Sequence, residues 1–361
     1  MFFVNVQKRS VKSLKFRQPT PVYLVEEIDS TRIIAGDWCD VLEPVHPSLI
    51  RVHSTGSLDA VTLLFDARDA FDKGDAEAEA NMRMLIDEGK LDDAVQQCCL
   101  VAASEYDPVS QMAFLRAASY GKSFLKDSHA AELAETFGNA HRKLRILNNL
   151  REPKVGMPLT SAQYDSLMPV EIVHRLCLSH QHMLAAKICR LLRISNASVL
   201  SHWANTKIDS NRSQSDGDLA LVIRRVFQQN NAAVSYAKIA RYAFLESNKR
   251  ELAIQLLKYE TQVDKKVGLL LMMNEYDLAL QTAVKSQNSD YIFTALMNMR
   301  EKRAGNGKNA SVEVFSKAIL KRYETATDLL TLYLQQQIRL HPDGANVLET
   351  DKTLLHRVGL T

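Results

Sequence analysis

The sequence predicts a mostly α-helical chain, an irregular solenoid of stacked helical hairpins preceded by a short run of β-strands. Three observations lead there. From about residue 50 to about residue 340, apolar residues recur at helical spacing almost without interruption. The helices so marked are short and joined by short turns, which is the grammar of αα-hairpins. Four of them carry an alanine in the same setting, just after a polar turn and between apolar residues.

In chain order, Val22 to Ile28 and Arg32 to Ala35 are β-rich runs around Asp29, Ser30 and Thr31, which reads as a hairpin, with Pro19, Pro21, Pro44 and Pro47 as punctuation. Two to four strands do not make a stable sheet alone. Ser57 is expected to cap a helix whose apolar face is Val61, Leu64, Phe65 and Phe71, with Gly74 ending it in the left-handed conformation. Asp107 and Pro108 read as cap and first turn of a helix through Met112, Leu115 and Tyr120. Thr160 with Gln163 makes a capping box, in which each side chain satisfies the other's backbone N–H.

The alanines of the faint repeat are Ala94, Ala185, Ala253 and Ala279; a small side chain there lets the second helix of a hairpin approach the first. Their spacing is too irregular for a fixed 34-residue array. Ser235 to Arg300 is the clearest block, with Ser235 expected to cap YAKIARYAF and Asn248 and Lys249 turning the chain into RELAIQLLKYE. Asp209 to Asp218 and Lys302 to Ser311 read as loops, and residues 341–361 as a poorly anchored tail. The expected domains are therefore residues 1–50, 51–340 and 341–361.

Of 361 residues, 46% are hydrophobic and 24% charged, as in a folded globular chain. The 45 basic and 42 acidic side chains leave a formal charge of +3 spread along the chain, so no concentrated basic field points to nucleic acid. Five cysteines, an odd number with no C-x-x-C pair, suit a reducing compartment. The opening MFFVNVQKRSVKSLKF alternates like a strand and lacks the apolar core and cleavage site of a signal peptide. No apolar run approaches the ~20 residues that cross a bilayer, so membrane contact is expected to be peripheral.

The chemistry-bearing candidates are few. Gly305 to Lys308 has Lys302 where a phosphate loop needs its first glycine and Asn309 where it needs a hydroxyl, which reads as a plain loop. His174, Cys177, His180, His182 and Cys189 are zinc-ligand types close together, but their spacing favours core or interface residues over a tetrahedral site. No G-x-S-x-G elbow occurs, and Cys98 and Cys99 sit in a helix interior. No catalytic constellation, cofactor or metal is expected. Tyr236, Tyr242, Tyr259, Tyr276 and Tyr291 recur along one region, although aromatics at helical spacing more often pack than recognise.

Six strings, in order, carry a resemblance: FDKGDAEAEANMRMLIDEGKLDDAVQQCCLVAASEYDPVSQMAFLRAASYGKSF, MPLTSAQYDSLMP, HQHMLAAKICRLLRIS followed by HWANTKI, VSYAKIARYAFLESNKRELAIQLLKYE, and LLLMMNEYDLALQTAVKSQNSDYIFTALMNM. Together they resemble the helical region of the vacuolar protein sorting-associated protein 16 family, from about Arg32 to about Gln337. The resemblance implies a core subunit of the HOPS and CORVET tethering complexes, which bring endosomal, lysosomal or vacuolar membranes together before SNARE-mediated fusion. It implies a cytoplasmic chain, peripheral on those membranes, with other class C tethering subunits as neighbours. The strands before residue 50 would be the last remnant of a β-propeller. The family's later hairpins recruit an SM-family SNARE chaperone, vacuolar protein sorting-associated protein 33. Carried over by matching strings, that surface falls within Ser235 to Gln337, with Tyr236, Ala253, Leu256, Tyr259, Lys265, Tyr276 and Arg322 as its expected contacts. The rival reading is a clathrin-like coat or adaptor leg that associates with itself.

Overall fold

A computed structural model describes residues 2–5, 9–13, 21–36, 38–125, 127–211, 215–230, 233–304 and 324–340. The chain is mainly helical, with five short strands at its start and 17 helices among the described residues. It separates into two compact units, Met1–Ile194 and Ser195–Thr361. That division falls inside the helical region.

In the first unit β1 (Phe2–Asn5) and β2 (Ser10–Ser13) pair antiparallel, and β3 (Val22–Glu26), β4 (Thr31–Ala35) and β5 (Trp38–Leu42) form an antiparallel sheet in that order. Nine helices follow: α1 (Pro47–Val52), α2 (Ala60–Lys73), α3 (Glu77–Asp87), α4 (Leu91–Ser104), α5 (Pro108–Lys122), α6 (Asp127–Arg151), α7 (Ser161–Ser166), α8 (Pro169–Leu178) and α9 (His182–Leu192). Leu64, Leu85, Val95, Cys98 and Phe114 centre the core of α2 to α5. Gly121 lies where three of those helices converge; a Cβ there would stand 2.8 Å from Val95 Cγ2 and 2.9 Å from Leu64 Cδ1.

A polar lashing ties β3 and β4 to the segment that starts α7. Arg32 Nε donates to Glu27 Oε1 at 2.7 Å, and Gln163 Nε2 donates to Glu27 Oε2 at 2.5 Å and to Ser30 Oγ at 2.9 Å. Thr160 Oγ1 donates to Asp29 Oδ2 at 2.6 Å, and Arg32 Nη2 reaches the Pro158 carbonyl at 3.3 Å. The capping box of Thr160 and Gln163 forms as expected, so the residues that start α7 also hold the β3–β4 turn. The Arg32 hydrogen bond, working against burial and helped by Gln163, holds the Glu27 carboxyl below its ordinary range.

The second unit holds α10 (Ala197–Ser210), α11 (Asp216–Gln229), α12 (Tyr236–Leu245), α13 (Arg250–Leu257), α14 (Val263–Met272), α15 (Tyr276–Ser286), α16 (Ser289–Ala304) and α17 (Glu324–Leu340). Ile208, Leu219, Ile223, Leu256, Leu270 and Leu296 lie in its core.

The alanine repeat has a backbone cause. Ala94, Ala185, Ala253 and Ala279 are each the fourth residue of their helix, and each is fully buried at 0% exposure. Five residues before each stands a left-handed residue: Gly89 (φ 63°), His180 (φ 59°), Asn248 (φ 53°) and Asn274 (φ 60°). That residue ends the first helix of the hairpin. The next residue's carbonyl then accepts the alanine N–H, at 3.0, 2.9, 3.1 and 2.9 Å respectively, as the first turn of the second helix. The repeat is thus a fixed turn that aims a methyl group at the crossing of two helices.

Some expected caps, faces and loops differ from what is observed in these parts of the chain. Asp59, not Ser57, precedes α2, and the Ser57 hydroxyl sits beside Thr62 Oγ1 at 3.1 Å. Phe71 is exposed on the surface of that helix. The expected loop at Asp209 to Asp218 is shorter, because α10 runs through Ser210 and Ser215 caps α11 by accepting from Asp218 N. Likewise α16 runs to Ala304, so only residues 305–311 of the second expected loop are outside it, and these lie outside the described residues, as do residues 341–361.

Candidate partner-binding surface

Helices α12 to α15 form two consecutive hairpins whose ends are tied by side chains reaching across. Glu260, after α13, is almost fully buried at 9% exposure. Its Oε2 accepts from Ala237 N at 2.7 Å and from Ser235 Oγ at 2.9 Å, and its Oε1 from Thr261 N at 3.0 Å and Gln262 N at 3.1 Å. Ser235 therefore does not cap α12 as expected; it donates to the carboxylate that does. One acidic side chain serves the N-termini of both α12 and α14, where orphan N–H groups and the positive helix end favour an anion. Burial pushes the Glu260 carboxyl up, and the backbone hydrogen bonds from Ala237 and Gln262, with Ser235, bring it below its ordinary value.

Other helix ends are met the same way. Lys249 Nζ donates to the Asn211 carbonyl at 2.6 Å and the Ile208 carbonyl at 3.2 Å, closing the C-terminus of α10. Arg250 donates to the Met273 carbonyl at 2.8 Å and pairs with Glu275 at 2.7 Å, closing α14. Asp216 accepts from Leu252 N at 3.2 Å at the start of α13. Tyr242 donates to Asp209 at 2.6 Å, a bond that pushes its hydroxyl up to about 12.

On this frame six of the expected contact residues fall into three pairs. Tyr236 and Tyr259 are brought together, half-buried, with ring centroids 5.8 Å apart; Phe227 packs 5.3 Å from Tyr236, and the Arg224 guanidinium lies 4.5 Å over Tyr259. Lys265 is exposed on α14, and Tyr276 is half-buried at the start of α15, its hydroxyl donating to Asn274 Oδ1 at 2.8 Å. Ala253 and Leu256 are corrected: both are 0% exposed inside the core, because the alanine of each hairpin turn faces the opposing helix. Neither side chain reaches a surface. Arg322 lies outside the described residues.

Sequence reasoning missed Glu260, Lys249 and Arg250. One signal was available for the last two: paired basic residues at a helix start oppose that helix's dipole, and reaching another helix's C-terminus turns the charge to advantage.

In the first unit, Cys177 and Cys189 are buried where α8 meets α9, and burial pushes the Cys177 thiol up to about 11, far from a metal-binding thiolate. His174 is exposed on α8. Among the described residues no group of three or more His, Cys, Asp or Glu side chains is arranged to hold a metal ion. Burial likewise pushes Cys98 up, and Cys99 to about 11, so neither is an activated nucleophile. Residues 305–308 of the GNGK string are outside the described residues. Among the described residues no helix is long and apolar enough to cross a membrane.

Two family models match this sequence: one described as "Vps16, N-terminal region" over residues 1–134, and one described as "Vps16, C-terminal region" over residues 234–335. The chain belongs to the Vps16 family. The Vps16 C-terminal match begins just before Ser235 and takes in α12 to α16, so the candidate surface lies inside it. Protein VACUOLELESS1 of Arabidopsis thaliana is 34% identical over 283 residues, covering 78% of this chain and 32% of that protein. The vacuolar protein sorting-associated protein 16 homolog of Dictyostelium discoideum is 34% identical over 286 residues, 79% of this chain and 33% of the homolog. Vacuolar protein sorting-associated protein 16 of Saccharomyces cerevisiae is 25% identical over 288 residues, 78% of this chain and 35% of that protein. This Vps16-family chain thus spans about a third of the length of the curated relatives it matches.

Proposed function

We propose that this chain is a non-enzymatic scaffold of vacuolar protein sorting, part of a HOPS- or CORVET-like tethering assembly on endosomal, lysosomal or vacuolar membranes, and that its later hairpins recruit an SM-family SNARE chaperone. Membership of the Vps16 family carries the reading, since relatives bearing that family name are named for vacuolar protein sorting. The geometry supports it. Helix ends in α10 to α15 are tied by side chains from neighbouring hairpins, which holds Tyr236, Tyr259, Lys265 and Tyr276 on a fixed frame. Preorganised aromatic anchors of this kind bind partners without a large ordering cost. Membrane association comes through the assembly.

Affinity purification of the full chain, with identification of what stays bound, tests this. An SM-family protein is retained by the native chain, and retention falls roughly tenfold or more in Lys265→Glu/Tyr276→Ala, a typical effect of losing interface contacts. Retention unchanged in that variant, or a chain that carries only copies of itself, overturns the reading; the second result is that of a coat leg.

A further inference from the structure

Between α13, α14 and α15 runs an open groove with a cavity volume of ≈ 410 Å³. Three helix faces converge on it at helical spacing: Ile254 and Leu257 from α13, Val263, Lys266 and Leu270 from α14, and Leu278, Thr282 and Lys285 from α15. Aliphatic side chains make up much of the lining, and Lys258, Lys266 and Lys285 contribute to it beside the polar Gln281 and Ser286. The carboxylate in its lining is Glu260, whose two oxygens are already committed to four donors. Lys258 donates to Gln255 at 2.8 Å; among the described residues neither Lys266 nor Lys285 is paired with a carboxylate.

We infer that this groove docks an acidic linear segment of a partner protein, seating a leucine- or phenylalanine-type side chain on the aliphatic part of the lining while its carboxylates meet Lys266 and Lys285. Two arguments fix the occupant. Size is the first: ordinary ligand pockets span about 300–1,000 Å³, so this volume accepts a few side chains of one segment and not a globular surface. Charge is the second, for a groove with three cations and a saturated carboxylate is complementary to an anionic segment. Lys266 is pushed below its ordinary value, first by burial and then by Lys285, against the pull of Glu260; an arriving carboxylate offsets the repulsion from Lys285 by pairing with the ammonium. A phospholipid headgroup would meet the lysines and leave Ile254, Leu257 and Leu278 without an apolar partner, so a peptide fits the lining better.

This goes beyond SM-family recruitment and does not rest on it, because Lys265 and Tyr276 are not in the lining. The test measures fluorescence anisotropy of a fluorescein-labelled amphipathic peptide of glutamates and leucines against the full chain. Saturable binding is expected, weakened at least ~tenfold in Lys266→Glu/Lys285→Glu and by added salt. Leu278→Ser weakens it too, whereas Lys154→Glu/Arg175→Glu, the same charge change in the first unit, leaves it intact. Lys265→Glu/Tyr276→Ala also leaves it intact, which separates this site from the surface proposed above. Binding that survives the groove substitutions overturns the inference, as does equal binding of a peptide with serines for leucines. So does capture of phosphatidylserine vesicles through the same lysines without peptide binding.

Discussion

Replacing Glu260 by alanine removes one side chain from the starts of two helices, and its cost can be worked from the four bonds it accepts. Thr261 and Gln262 are exposed, so water replaces the carboxylate at their N–H groups with little loss. Ala237 is 6% exposed, and its N–H, donating at 2.7 Å, is left buried and unmet. An orphaned buried donor costs about 1–3 kcal/mol and a lost N-cap about 1 kcal/mol, which puts the total near 2–4 kcal/mol. For a cooperative unit of this size that lowers the melting temperature by roughly 5–15 °C. Circular dichroism melts of native and Glu260→Ala chains across pH provide the assay. Because the folded carboxyl titrates below its ordinary 4.5, its contribution is complete above that pH and is lost as pH falls through the lowered folded value. The gap between the two melts is therefore constant near neutrality and closes in acid below pH 4.5. A gap under ~0.5 kcal/mol, in the range of an ordinary surface substitution, or one that persists undiminished in strong acid, would refute the double-cap argument.

Ala253→Asp places an unpaired carboxylate at a fully buried helix crossing and costs roughly 3 kcal/mol or more, so the chain melts early and any loss of partner binding follows from unfolding; a native-like melt contradicts the core assignment. Gln163→Ala removes two of the bonds that tie the strands to the start of α7, leaving those of Thr160 and Arg32, at a cost of about 1–3 kcal/mol, and limited proteolysis should then cleave within residues 21–42 sooner than in the native chain; an unchanged digestion pattern denies Gln163 that role. Gly121→Ala pushes a methyl group to 2.8 Å from Val95 and 2.9 Å from Leu64 and costs about 1–3 kcal/mol in denaturant unfolding, whereas a neutral or stabilising change would show slack in that packing.

The hairpin turns were legible because two of the residue types that tolerate positive φ, glycine and asparagine, stand at Gly89, Asn248 and Asn274, with apolar periodicity on both sides. The same turn at His180 has no such signature and shows only in the alanine that follows. The β3–β4 hairpin and the capping box at Thr160 were readable because both are local. What holds those local pieces together was not, since it joins residues far apart in sequence. Thr160 meets Asp29 across 131 positions, and Glu260 meets Ala237 across 23. The expected contact set mixed core with surface for a related reason: Ala253 and Leu256 lie in the same motif as Tyr259, and only the direction each side chain takes from its helix separates buried from accessible.

The proposed function requires the surface of α12 to α15 to bind a heterologous partner. Size-exclusion chromatography with light scattering on the full chain mixed with a purified SM-family protein tests it most directly. A one-to-one complex is expected with the native chain, lost in Lys265→Glu/Tyr276→Ala while that variant still melts like the native protein. Separate elution of the two proteins, or a homomeric assembly of the chain that ignores the SM-family protein, would contradict it.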